Sequence, residues 1–226
     1  MSRHKTGSEG RREAAPAAFA VLVVFVLVAV VSRAREWELL GLPWWMWLLI
    51  ALPALLLTID LYLNDRGSGL LRTRRAALVL LGLLVLGNLA ALTVLVTALV
   101  TANASDLTGG ELLLTAFAIW SADVIVFGVW FWELEAGGPV DRMLAPARAG
   151  GDFRFPQDDS PQPGQEDWRP HAWDYLYVSL TNSIAFSPTD TMPLSIRAKA
   201  LMGLESVISA ATVLLVAARA VNVLGS

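Results

Sequence analysis

Cysteine is absent from the 226-residue chain. That excludes disulfides, thiolate metal sites and cysteine nucleophiles. Histidine is nearly absent: His4 and His171 lie far apart in polar segments, which leaves no ligand set for zinc. Charge is scarce as well. Asp, Glu, Lys and Arg make up 16% of the residues, against about 25% in a typical soluble domain. A net charge of −3 with no basic stripe gives nucleic acid nothing to bind. No Gly-rich phosphate loop, His-Glu-x-x-His or Gly-x-Ser-x-Gly occurs, and no second Asp obviously pairs with the one at membrane depth. The chain is therefore expected not to be an enzyme and to need no cofactor or metal.

What is present is hydrophobic surface, 55% of all residues with a mean hydropathy of +0.56, gathered into uncharged runs. Residues 1–13 form a polar, basic tail. Ala14–Val31 is an uncharged run of eighteen residues, which at about 1.5 Å each nearly covers a hydrocarbon core of about 30 Å. Further runs cover about 42–63, 76–102 and 112–132. Trp44, Trp45 and Trp47 open one run, and Trp130, Phe131 and Trp132 close another. Such clusters suit the headgroup boundary, where an indole buries its ring and keeps its N–H wet. Residues 14–135 thus read as a four-helix transmembrane bundle. Residues 136–170, rich in Pro and Gly, read as a flexible linker.

The last segment, 171–226, differs from the others. Trp173–Phe186 is moderately apolar and carries Ser179, Thr181, Asn182 and Ser183. As a helix it spans roughly 21 Å, too short to cross a bilayer. Pro188 forbids simple continuation. Pro193 follows, then a long apolar helix over about 194–223. A short polar helix, a Pro-bounded extended stretch and a long helix form the pattern of a re-entrant pore loop. Such backbone survives at membrane depth only where protein or water reaches it.

Asp190 and Pro193 in Asp-x-x-Pro spacing, Arg197 and Lys199 opening the last helix, and the Tyr175–Thr181 stretch resemble the pore domain of the potassium-channel superfamily. Gly203, Glu205, Ser206, Ser209, Ala210 and Ala211 are similar to its inner helix. The resemblance implies a homotetramer in the lipid bilayer with a central path for monovalent cations. Where that family has Thr-Val-Gly-Tyr-Gly, this chain has Ala185-Phe186-Ser187-Pro188-Thr189. Those glycines permit the backbone conformations that aim carbonyls at the ion, so ordinary potassium selectivity is not expected. Thr181, Ser183, Ser187, Thr189 and Asp190 are instead candidates for a wider constriction lined by hydroxyls and carboxylates, which favours cations.

Three polar residues sit at membrane depth: Asn88, Asp123 and Glu205. A charge there costs about 2.5–3.5 kcal/mol on insertion scales, so each demands a partner. For Asp123 the choices are a proton or cation site, or a hydrogen bond to Ser121, Asn88 or a Thr. For Glu205 they are Arg197, Lys199 or a pore-helix hydroxyl. Asn88, Thr93 and Thr97 are expected to bond between helices.

Lys and Arg concentrate in the tail, in residues 64–75 and in the linker, which places those segments in the cytoplasm. The loop then enters from the cytoplasm, opposite to potassium channels, unless 172–189 itself spans. The expectation is an all-α, polytopic bundle of about five transmembrane helices plus a re-entrant pore helix and loop, in the cell membrane of bacterial inner-membrane type. The alternatives are a non-conducting protein with a pore-like fold and a small proton-coupled transporter.

Overall fold

The computed structural model describes residues 15–39, 42–63, 74–100, 109–144, 151–160, 168–187 and 190–224. The expected tail, 1–13, lies outside them. The described chain is mostly helical: α1 (Ala15–Arg35), α2 (Trp44–Leu63), α3 (Arg74–Val100), α4 (Gly109–Leu134), α5 (Pro139–Leu144), α6 (Pro156–Asp159), α7 (Ala172–Ala185) and α8 (Ile196–Leu224). Two short strands, β1 (Phe153–Arg154) and β2 (Met192–Pro193), pair antiparallel with Phe153 opposite Pro193 and Arg154 opposite Met192.

Three helical stretches are long and apolar enough to cross a membrane: Ala15–Arg35, Ala77–Thr97 and Gly110–Gly137. Trp44–Ile59 is apolar and shorter. These helices form where the apolar runs lie, because in lipid every backbone amide must be satisfied within the segment.

Helix α4 is the hub. It packs against α1, α3, α7 and α8, while α2 rests on α1 and α3. The contact with α7 is close because of Gly128. A Cβ there would lie 2.7 Å from Leu176 Cδ2 and 2.9 Å from Leu176 Cα. The absent side chain lets the two backbones approach, as small residues do in membrane bundles.

Two aromatic clusters differ from the interfacial belts expected of them. Trp44 and Trp45 are exposed, but Trp47 is fully buried and stacks on Phe25 with ring centroids 6.5 Å apart. Phe131 and Trp132 are likewise buried, in contact with protein rather than headgroups. Helical spacing explains both: one side of each cluster faces a neighbouring helix.

Residues 136–170 differ from a flexible linker wherever they are described. The chain turns sharply after α4, with Ala136, Gly137 and Gly138 at positive φ. Phe153 and Phe155 are buried. Phe153 meets Phe131 and Tyr175, and Phe155 meets Tyr175 and Trp168, at centroid distances of 5.3–5.9 Å. Burying each Phe contributes about 1.5–3 kcal/mol.

A polar clasp accompanies the aromatics. Glu135 Oε2 accepts the backbone N–H groups of Asp152 (3.1 Å) and Phe153 (2.9 Å). A Cβ at Gly151 would fall 1.6 Å from Glu135 Oε1, so a larger residue there would displace the Glu135 carboxylate from this clasp. Arg142 donates to the carbonyls of Trp132 (3.0 Å) and Glu135 (3.2 Å). Its guanidinium also lies over the Trp132 and Tyr175 rings. The Gly and Pro content that reads as a linker here serves turns and close approach.

Candidate functional site

Asn88, Asp123 and Glu205, distant in sequence, fall into two hydrogen-bonded groups, Asn88 with Asp123 and Ser209, and Glu205 with Ser179, Asn182 and Ser206. All three are buried. Asn88 on α3 donates through Nδ2 to Ile119 O (3.1 Å) and to Asp123 Oδ1 (3.4 Å). Ser209 on α8 donates to Asp123 Oδ2 at 3.0 Å. Asp123 thus joins α3, α4 and α8. Of its expected partners Asn88 holds, and Ser209 takes the place of Ser121 or a Thr.

Glu205 takes the pore-helix hydroxyl rather than Arg197 or Lys199. Ser179 on α7 bonds its Oε1, and Asn182 Nδ2 donates to Oε2 at 2.6 Å. Ser179 Oγ also reaches Val124 O at 2.7 Å, and Asn182 Nδ2 reaches Met202 O at 3.0 Å. Ser206 Oγ donates to Asn182 Oδ1 at 3.2 Å. No Lys or Arg among the described residues forms an ion pair with either carboxylate. Asn88 Oδ1 is shielded from solvent and has no hydrogen-bond partner.

Local sequence explains how the helices present these groups. On α7, Ser179, Asn182 and Ser183 are buried, whereas Trp173, Tyr177, Leu180 and Ile184 are exposed. Steps of three and four residues put each set on its own face. The polar groups of α7 point into the protein beside the buried Ala172, Tyr175 and Val178, and its exposed face is largely apolar. Asp174 accepts the His171 N–H at 2.7 Å and closes the first turn. Thr93 and Thr97, expected to bond between helices, instead bond carbonyls of their own helix, Leu89 O and Thr93 O, both at 2.8 Å.

The filter-like positions divide. Thr181 Oγ1 bonds the α7 carbonyls of Tyr177 (2.9 Å) and Val178 (3.1 Å). Ser183 is buried and bonds Leu180 O at 2.8 Å. Ala185 ends α7, and Phe186 turns left-handed at φ 54°. Ala185, Phe186, Ser187 and Asp190 are exposed. Pro188 and Thr189 lie outside the described residues. Beyond Asp190 the chain is held again: Leu194 N donates to Asp152 O at 2.8 Å, and Arg197 lies 3.9 Å from the Asp152 carboxylate.

Comparison with family models, curated proteins and solved structures finds no match to this chain. Its function must be argued from its own geometry.

Sequence reasoning took Ser206 and Ser209 only as small residues similar to an inner helix and passed over Glu135. A hydroxyl on an apolar helix is ambiguous until the helix opposite is known. Glu135 did carry a signal, being a carboxylate directly after a long apolar run.

Proposed function

We propose that the chain is the subunit of a homotetrameric membrane pore that passes cations and lacks the usual potassium filter. In this reading α1, α2, α3, α4 and α8 are the five spans. Helix α2 has 20 residues and α8 has 29, lengths of about 30 Å and 43 Å, against a hydrocarbon core of about 30 Å. Helix α7 is re-entrant.

One observation carries the proposal. A 14-residue helix packs between two long ones, α4 and α8, and just beyond its end Ser187 and Asp190 are exposed and non-helical. Four copies around an axis bring four Asp190 carboxylates together, and such a ring selects for cations. The exposed apolar face of α7 and the exposed Leu204, Val207 and Leu214 of α8 supply the surface that copies bury.

The test is conductance of purified protein in planar bilayers. Cation current in the wild type, reduced in Asp190→Asn, is expected. A silent wild type, verified as inserted and tetrameric, overturns the proposal in favour of a non-conducting pore-like protein. One observation favours that second reading: Thr181 and Ser183 bond carbonyls of their own helix, which withdraws two of the five polar side chains expected to line the path.

A further inference from the structure

We propose that Asn88, Asp123 and Ser209 hold a single monovalent cation of about sodium size, inside each subunit and apart from any central pore. The buried Asp123 has two neutral donors and no Lys or Arg partner among the described residues. Glu205, on α8 with Ser209, is engaged by Ser179 and Asn182. A carboxylate so placed needs a positive counter-charge.

The second observation is the orphan oxygen. Asn88 Oδ1 is shielded and unpartnered, although its amide is already joined to Asp123 through Nδ2. A half-turn of that amide exchanges nitrogen for oxygen at almost no steric cost. Oδ1 then takes the Nδ2 position, 3.4 Å from Asp123 Oδ1 and 3.1 Å from Ile119 O. Three oxygens so close repel in the absence of a cation. Around a cation bound at about 2.3–2.6 Å, oxygens at right angles lie roughly 3.3–3.7 Å apart; the 3.4 Å separation from Asp123 falls within that range and the 3.1 Å separation from Ile119 O just below it. Oxygen-only donors select a hard cation. One free carboxylate, with Glu205 satisfied elsewhere, matches a single positive charge rather than two.

The experiment is thermal unfolding of the full chain in detergent at pH 8, with sodium chloride replaced stepwise by N-methyl-D-glucamine chloride at constant ionic strength. A ligand that binds only the folded state raises Tm with the logarithm of its concentration. Each tenfold rise in sodium above its Kd should add roughly 3–6 °C. The dependence should vanish in Asp123→Asn and persist in Asp190→Asn, which separates this site from cation binding at the pore. In Asn88→Ala the sodium midpoint should rise at least about tenfold, the loss of one good ligand. A wild-type Tm that is the same in both salts overturns the proposal and leaves Asp123 neutralised by a proton or bridged by water. If Asp123→Asn does not fold, Asn88→Ala and Ser209→Ala decide: wild-type sodium dependence in both overturns the assignment.

Discussion

Gly128 and Glu205 set opposite demands on the interface between α4, α7 and α8. At Gly128 the neighbour is backbone, Leu176 Cα at 2.9 Å from a would-be Cβ. Gly128→Ala therefore cannot be absorbed by a rotamer change and must push α7 away. We expect a loss of about 1–3 kcal/mol, read as a lower Tm. Trimming the neighbour with Leu176→Ala should restore only part of it, because the conflict with Cα remains. At Glu205 the demand is hydrogen bonding. Glu205→Gln keeps the shape, an acceptor for Asn182 and a donor for Ser179, so its Tm should lie close to wild type. Glu205→Ala leaves Ser179 and Asn182 with Val124 O and Met202 O as their remaining acceptors. Losing two hydrogen bonds at about 0.5–1.5 kcal/mol each, it should be clearly less stable. Equal stability of the Gln and Ala variants would show that the network adds nothing to folding.

At the scale of elements, helices were legible in the sequence and their relations were not. Uncharged runs of about 20 residues announce α1 to α4, since a helix is the cheapest way to satisfy backbone in lipid. The short α7 and its stop before Pro188 were legible for the same kind of reason. Asn88, Asp123 and Glu205 could each be singled out as costly at depth. Their partners could not, because each lies 26 or more residues away apart from Asn182 at 23. The folded stretch 151–160 was hidden by composition: Gly and Pro suggest a linker, while Phe153 and Phe155 are too few to form a recognisable strand pattern. This clasp gives a contrast that can be measured. Phe153→Ala and Phe155→Ala each empty a buried ring site and should cost about 3–5 kcal/mol, with faster proteolysis in 151–170. The Arg154–Asp159 pair, about half exposed on both sides, should matter far less: Arg154→Ala should change stability by under about 1 kcal/mol.

At the scale of the whole molecule, the chain carries two kinds of exposed apolar surface, and only one of them should meet another protein. Lipid covers apolar faces generally, so Leu49 and Leu52 on α2, at 58% and 46% exposure, need no partner. The apolar face of α7 is different in position. It sits on a short helix that ends shortly before Asp190, and under the proposed pore function such a helix cannot meet lipid along its length and still place that carboxylate on a shared axis. Tyr177, 52% exposed, should therefore face a second copy, and Leu52 should face acyl chains. The absence of cysteine makes the distinction direct. In a ring the contacting faces differ, so the partner for α7 is the exposed face of a neighbour's α8. A protein carrying both Tyr177→Cys and Val207→Cys, oxidised mildly in native membranes, should form covalent oligomers, whereas Leu52→Cys should stay monomeric. Cross-linking in both proteins alike would mean random collision in the bilayer, and cross-linking in neither would argue against this packing of α7 on a second copy.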